Sequence, residues 1–145
     1  MYNALLLLHS LLRWAVIAFG LVTAGTAWRE LSGRRPVRSA LVFTILLDIQ
    51  MLAGLTLYFV LSPATRAAFH DFGAAMSSDV LRFWAVEHPF AMIAGVALAH
   101  VARAKLQRGA DLRQRRRAAV YFSVAIALVV LATPWPFLPY GRPLL

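Results

Sequence analysis

Four stretches of this chain, residues 4–28, 40–61, 81–104 and 118–137, are apolar over roughly the 20 residues that an α-helix needs to cross a bilayer. In hydrocarbon every backbone N–H and C=O must be bonded internally, so such stretches fold as helices. The chain therefore reads as an all-α membrane protein, a four-transmembrane-helix bundle in a single domain covering residues 1–145. Its 61% hydrophobic share and mean hydropathy of +0.68 fit that class and exceed what a soluble domain carries. The first stretch could be taken for a secretory signal. It lacks a basic leading region, its apolar part is too long, and it carries His9 and Arg13, so it reads as a retained helix.

Charge sets the direction. The connection "RELSGRRPVRS" and the connection "RAKLQRGADLRQRRR" are strongly basic, whereas "SPATRAAFHDFGAAMSSDV" between the second and third spans is nearly balanced. Basic loops stay in the cytoplasm, which places both termini and the middle connection on the periplasmic side of a bacterial inner membrane. The net charge of +9 is explained by these loops, and no basic-aromatic module for nucleic acid accompanies it. The absence of cysteine excludes disulfides, thiolate metal sites and cysteine nucleophiles. The middle connection, with Phe69 and Phe72, is expected to hold a short interfacial helix. Tyr58, Trp84, Trp135 and Tyr140 fall where an aromatic belt would lie.

Ionisable groups inside spans are costly and mark function unless paired. His9 lies about 7–10 Å below the outer surface at 1.5 Å per residue, and His88 lies at the same depth on a co-directional helix. Arg13 is one turn deeper than His9 on the same face. Glu87 adjoins His88, and Asp48 and Gln50 are buried polar residues near mid-membrane. Arg13 is expected to pair with Glu87 or Asp48. His100 lies near the inner surface and about 120° off the His88 face, as a snorkelling or hydrogen-bonded residue. His70, beside Asp71, is expected to be solvated.

Two imidazoles at matched depth in a four-helix bundle point to one haem b, held by His9 and His88. Gly20 is eleven residues after His9 and Gly95 seven after His88, each back on the same face, where a flat ring or a neighbouring helix can approach. Arg13 then suits a haem propionate. No second histidine pair exists for a second haem. Pro89 strains the third helix where His88 projects, and "TPWPFLPYGRP" ends the fourth helix and lays a tail over the outer face, with Trp135 over the site. The alternatives are a copper or zinc site of His9, His88 and Glu87, an accessory or structural subunit whose polar residues knit the helices, and a small-solute transporter using Asp48, Arg13 and Glu87.

The elements "HSLLRW", "DIQMLAGLTLYF", "LRFWAVEHPFAMIAGVALAHVARAK" and "PWPF" with "GRP" resemble a bacterial family of small four-helix membrane proteins labelled cytochrome b-like. The likeness covers nearly the whole chain, and "RFWAVEHP" is its most specific part. It implies haem b and membrane electron transfer. The partners to expect are a quinone or quinol, or a periplasmic electron carrier, with a homo-oligomer or a larger membrane complex as the setting.

Overall fold

A computed structural model describes residues 1–31, 37–108 and 111–143. The described residues form α-helices and two π-helical turns, with no strand among them. Helix α1 runs Tyr2–Arg29, and α2 runs Ser39–Thr56 and continues through a π turn, Leu57–Leu61. Three short helices follow, α3 Pro63–His70, α4 Phe72–Met76 and α5 Asp79–Arg82. A second π turn, Phe83–Glu87, leads into α6 His88–Arg108, and α7 is Leu112–Leu131.

Three helical stretches, Tyr2–Arg29, Ser39–Leu61 and Asp79–Arg108, are long and apolar enough to cross a membrane. Their outer faces match that solvent: Leu52, Phe59 and Phe90 are 67%, 70% and 73% exposed. Apolar surface on this scale marks a contact with lipid or protein. Helix α7 has 20 residues, about 30 Å. Its first turns carry Arg113, Arg115, Arg116 and Arg117, which lower its apolar average. It starts six residues before the expected span and stops at Leu131, because Pro134 and Pro136 cannot continue a helix.

The short helices begin where their sequences say they should. The Ser62 hydroxyl accepts from Thr65 N–H with Pro63 at the first helical position. Asp71 caps α4 at 2.9 Å, Ser78 caps α5 and Asp111 caps α7. The middle connection thus holds two short helices, α3 and α4, where one was expected, with Phe69 and Phe72 about half exposed.

α1 packs on α2 and α7, and α6 packs on α7 and α2, so the four long helices close a ring. One half of the ring is dense. Ala27, Ala40, Ala102, Ala118 and Ala119 are at most 2% exposed around Phe43 and Phe122. Small residues let helix backbones approach, which is how packing without a hydrophobic driving force is achieved in lipid. This dense end carries Arg29, Arg38, Lys105, Arg108 and Arg113. Arg34 lies outside the described residues. At the other end Tyr2, Ser62, Thr65 and Arg142 surround a cavity.

Asp48 and His100 meet between α2 and α6, Nε2 to Oδ1 at 2.8 Å. Both side chains are about half exposed, at 48% and 44%, so Asp48 faces outward at this seam and is not one of the buried residues of the bundle interior. The pair answers the cost of placing either group inside a span, and His100 is the hydrogen-bonded residue anticipated. A double-mutant cycle of Asp48→Asn and His100→Phe, read by unfolding in detergent, should give a coupling of about 0.6–1.7 kcal/mol, the range of interhelical hydrogen bonds in membranes. Additive effects would show that the contact is not a stabilising one.

Candidate functional site

The helical period brings Leu6, His9, Ser10 and Arg13 onto one stripe of α1, and His88 and Met92 onto one stripe of α6. These stripes face each other across the open half of the ring. The His9 and His88 ring centres are 6.5 Å apart, with the ring planes at 70°. The two histidines chosen for equal depth are therefore neighbours.

Their surroundings differ. His88 Nδ1 is 2.8 Å from the Ala132 carbonyl at the end of α7. A carbonyl only accepts, so Nδ1 carries the proton, and in the neutral form of the ring the lone pair lies at Nε2. Phe83 and Trp84 pack against this ring, each 5.6 Å from it between centres. His9 Nδ1 is buried and has no hydrogen-bond partner among the described residues. The Gln50 side-chain amide donates to the His9 backbone carbonyl at 2.9 Å, tying α2 to α1 beside the ring.

The kink chemistry of α6 is resolved by a neighbour. Pro89 has no N–H, so the Ala85 carbonyl four residues earlier loses its helical donor. The Tyr58 hydroxyl donates to that carbonyl at 2.7 Å. Tyr58 is thus a wall of the site and a helix tie, where the sequence reading gave it only a place in an aromatic belt. Tyr58→Phe should cost about 1 kcal/mol by leaving that carbonyl unpaired. Thermal unfolding would register the loss, and an unchanged midpoint would mean that the carbonyl finds another donor.

Two cavities flank the imidazoles. The larger, about 100 Å³, is lined by polar groups including Arg13, Arg142, Gln50, Tyr58, Ser62 and Thr65. The smaller, about 50 Å³, is lined by Met51, Gly54, Leu55, Pro89, Ile93 and Val96 and is almost wholly apolar. His9, Leu47, Gln50, His88 and Met92 line both, so the cavities are two halves of one cleft divided at the two rings, with the charged and hydrogen-bonding side chains gathered in the larger. A site of about 10–15 Å³ already holds a water molecule, so each half has room for a ligand group. No aspartate or glutamate is among the described residues lining either half.

Several expectations are corrected here. Glu87 does not turn toward His88. Successive helical residues diverge by about 100°, and the π turn aligns residues five apart, so Glu87 meets Arg82 at 2.7 Å on the exposed side. Asp79 joins the same arginine at 2.8 Å. With Glu87 held there and Asp48 held by His100, neither supplies the expected partner of Arg13. Among the described residues no group of three metal-ligating side chains exists, which removes the His9, His88, Glu87 copper or zinc site.

Gly20 does not open space beside His9. A Cβ there would stand 2.5 Å from Ile126 Cδ1 and 2.9 Å from Phe43 Cε2, so Gly20 admits α7 and α2 side chains to the dense half. Gly95 likewise faces Ala125 and Val129 of α7. The glycine that faces the site is Gly54, whose Cβ would lie 3.2 Å from His9 Cε1. Of the two approaches expected at Gly20 and Gly95, a flat ring or a neighbouring helix, the neighbouring helix is the one found. Gly54 follows Gln50 by one turn, and that was the available signal. Trp84 and Arg142 were also missed as site residues. Trp135 leans on Trp14 at 6.2 Å and does not line the cavity, which Thr133 and Pro134 close instead. His70 is exposed at the end of α3.

No family model, curated protein or solved structure matches this chain.

Proposed function

We propose that the chain is a four-span protein of the bacterial inner membrane that binds one haem b between His9 and His88 near the periplasmic face and passes single electrons. One observation carries the reading, the 6.5 Å separation of the two imidazole centres. With bonds of about 2.0–2.1 Å from metal to imidazole nitrogen, as zinc sites show, two rings on opposite sides of one metal have centres ~6 Å apart. The Nδ1–H of His88 on a backbone carbonyl is the usual outer-shell partner of a metal-binding imidazole, and it turns Nε2 into the donor atom.

The rest of the cleft is amphiphilic in the sense that haem b requires. Its larger cavity is lined by Arg13 and Arg142, whose guanidinium groups suit propionates. Its apolar half suits the methyl and vinyl edge. A porphyrin is larger than either cavity, so it would fill both, and Met92, which lines both, is the flexible side chain best able to give way. The bound group would supply one-electron chemistry. His9 and His88 would hold it, and the surrounding residues would exclude water and help to set its potential. A quinol or a periplasmic carrier remains the proposed electron partner.

Haemin titrated into the purified protein in detergent should produce a low-spin Soret band and sharp α and β bands on reduction. A preparation that stays colourless, with no uptake of haemin, sinks the reading and leaves a structural subunit knit by its polar residues.

The orientation is tested separately. The arginine-bearing dense end should face the cytoplasm, and Tyr2 and Arg142, which meet at the cavity end, should face the periplasm. This makes α7 the fourth span. A C-terminal alkaline phosphatase fusion should be active and a green fluorescent protein fusion dark. The reverse pattern overturns the orientation.

A further inference from the structure

We infer that the outward face shared by α2 and α6 is an interface for a second copy of this chain, with the Asp48–His100 pair at its centre. The inference is independent of the haem reading. On α2, Leu41, Ile45, Asp48 and Leu52 follow one another at intervals of four, three and four. On α6, Ile93, Ala97, His100 and Ala104 repeat the same intervals. At about 100° per residue this spacing keeps each set within about 60° of arc, one stripe per helix. Every apolar member of the first stripe is exposed, and so are Ile93 and Ala97 of the second. The 2.8 Å contact between His100 Nε2 and Asp48 Oδ1 sets the stripes side by side. An apolar seam of this rhythm, interrupted by one polar position, is how coiled helices fix their register and their number of strands.

Lipid is a poor neighbour for this surface. The pair sits more than two turns inside both helices, roughly 12–14 Å from the end of α2 at Ser39 and of α6 at Arg108. That is near the middle of a hydrocarbon layer about 30 Å thick. Each side chain is still nearly half exposed there, and ionisable groups at such depth face protein. A second copy supplies that protein with matching groups. As imidazolium and carboxylate the pair has no net charge, two ring N–H donors and two acceptor oxygens. Among the described residues its bond uses Nε2 and Oδ1, which leaves Nδ1 and Oδ2 for the copy. A two-fold axis along the membrane normal sets them against Oδ2 and Nδ1 of the second pair. The helices α2 and α6 run antiparallel, so across that axis α2 of each copy packs on α6 of the other, and the apolar stripes close above and below the pairs. The contact is self-complementary, as a two-fold interface requires.

The chain has no cysteine, so introduced cysteines report contacts between copies without background. Full chains with Leu52→Cys and one tag, coexpressed with chains carrying Ala97→Cys and another tag, should form a mixed disulfide dimer when membranes are oxidised. Leu21→Cys with Leu131→Cys, exposed and level with each other on α1 and α7, should give none above random collision. Ala97→Trp, which adds bulk outside the bundle, should split the dimer and leave the unfolding midpoint of the single chain in place. Asp48→Leu should weaken self-association about tenfold, the worth of two interhelical hydrogen bonds. A wild type that runs as one chain in mild detergent and yields no mixed disulfide overturns the interface. Equal cross-linking at the control pair does the same, and so does a Leu52→Cys product with a different protein, which would assign the face to another partner. A dimer that survives both Ala97→Trp and Asp48→Leu overturns it as well, because the contact then lies on another face.

Discussion

Replacing either His9 or His88 by alanine should abolish the low-spin, two-imidazole spectrum of the haemin-loaded protein. His70→Ala and His100→Ala should leave it intact. The contrast follows from position. His9 and His88 are 6.5 Å apart across the cleft, whereas His70 is exposed on α3 and His100 is bonded to Asp48 on another seam. The loss should be large. Even outer-shell partners of a metal ligand are worth about 10–100-fold in affinity, so a lost axial donor should cost more than about 100-fold. Stability provides a second reading. At a haemin concentration 100 times its Kd, the wild type gains about 2.7 kcal/mol from mass action, and either alanine variant should gain far less. Equal spectra in the His9→Ala and wild-type proteins would remove His9 from the site. Haemin binding that survives in both single variants and in the double variant would place any bound group elsewhere.

The ability to choose these two histidines came from depth. Each helix advances about 1.5 Å per residue and the loops fix direction, so the level of a residue in a membrane helix can be read from its distance to the span's end. Rotation about the helix axis cannot be read with the same ease. Asp48 and Glu87 were expected on the inner face and stand on other sides of their helices. Asp48 turned to α6, where His100 satisfies it, and Glu87 turned outward to an arginine five residues earlier through a π turn that no local pattern announced. A π turn shifts the register of every residue after it, so 100° counting does not carry across Phe83–Glu87.

Other features were invisible because they are tertiary. Tyr58 and Ala85 are 27 residues apart, and nothing local to either says that a hydroxyl will meet the carbonyl freed by Pro89. The proline announced that some donor was needed and could not say which. Arg142 is the same kind of case. In the sequence it is a basic residue in a Pro-rich tail. Only a loop closed by its own backbone bond to Pro134 returns it to Tyr2 at the start of α1. The expectation that the tail would cover the outer face was sound, while the residue chosen to do the covering was the larger and more conspicuous Trp135.

Gly54 is where these threads meet, and Gly54→Leu should separate the fold from the site. Outside its own helix, the atoms of the described residues within 4 Å of a Cβ at Gly54 are His9 Cε1 at 3.2 Å and His9 Nδ1 at 3.8 Å. A leucine must therefore move the imidazole, while its remaining carbons extend along a cavity of about 50 Å³ that borders both histidines. Filling that space adds apolar contact and costs the dense half of the bundle nothing, so the unfolding midpoint should hold or rise slightly. Haemin binding should be lost, because His9 is displaced and the apolar half of the cleft is occupied. Gly20→Leu should do the reverse. Its first carbon collides with Ile126 and Phe43 at 2.5 and 2.9 Å, so overpacking should cost about 1–3 kcal/mol. In whatever fraction remains folded, the two imidazoles should still meet and the spectrum should be that of the wild type. If Gly54→Leu binds haemin with an unaltered spectrum, the cleft between α1, α2 and α6 is not where the group sits. If Gly20→Leu loses the spectrum while keeping its stability, the glycine beside the ring is the one on the first helix after all.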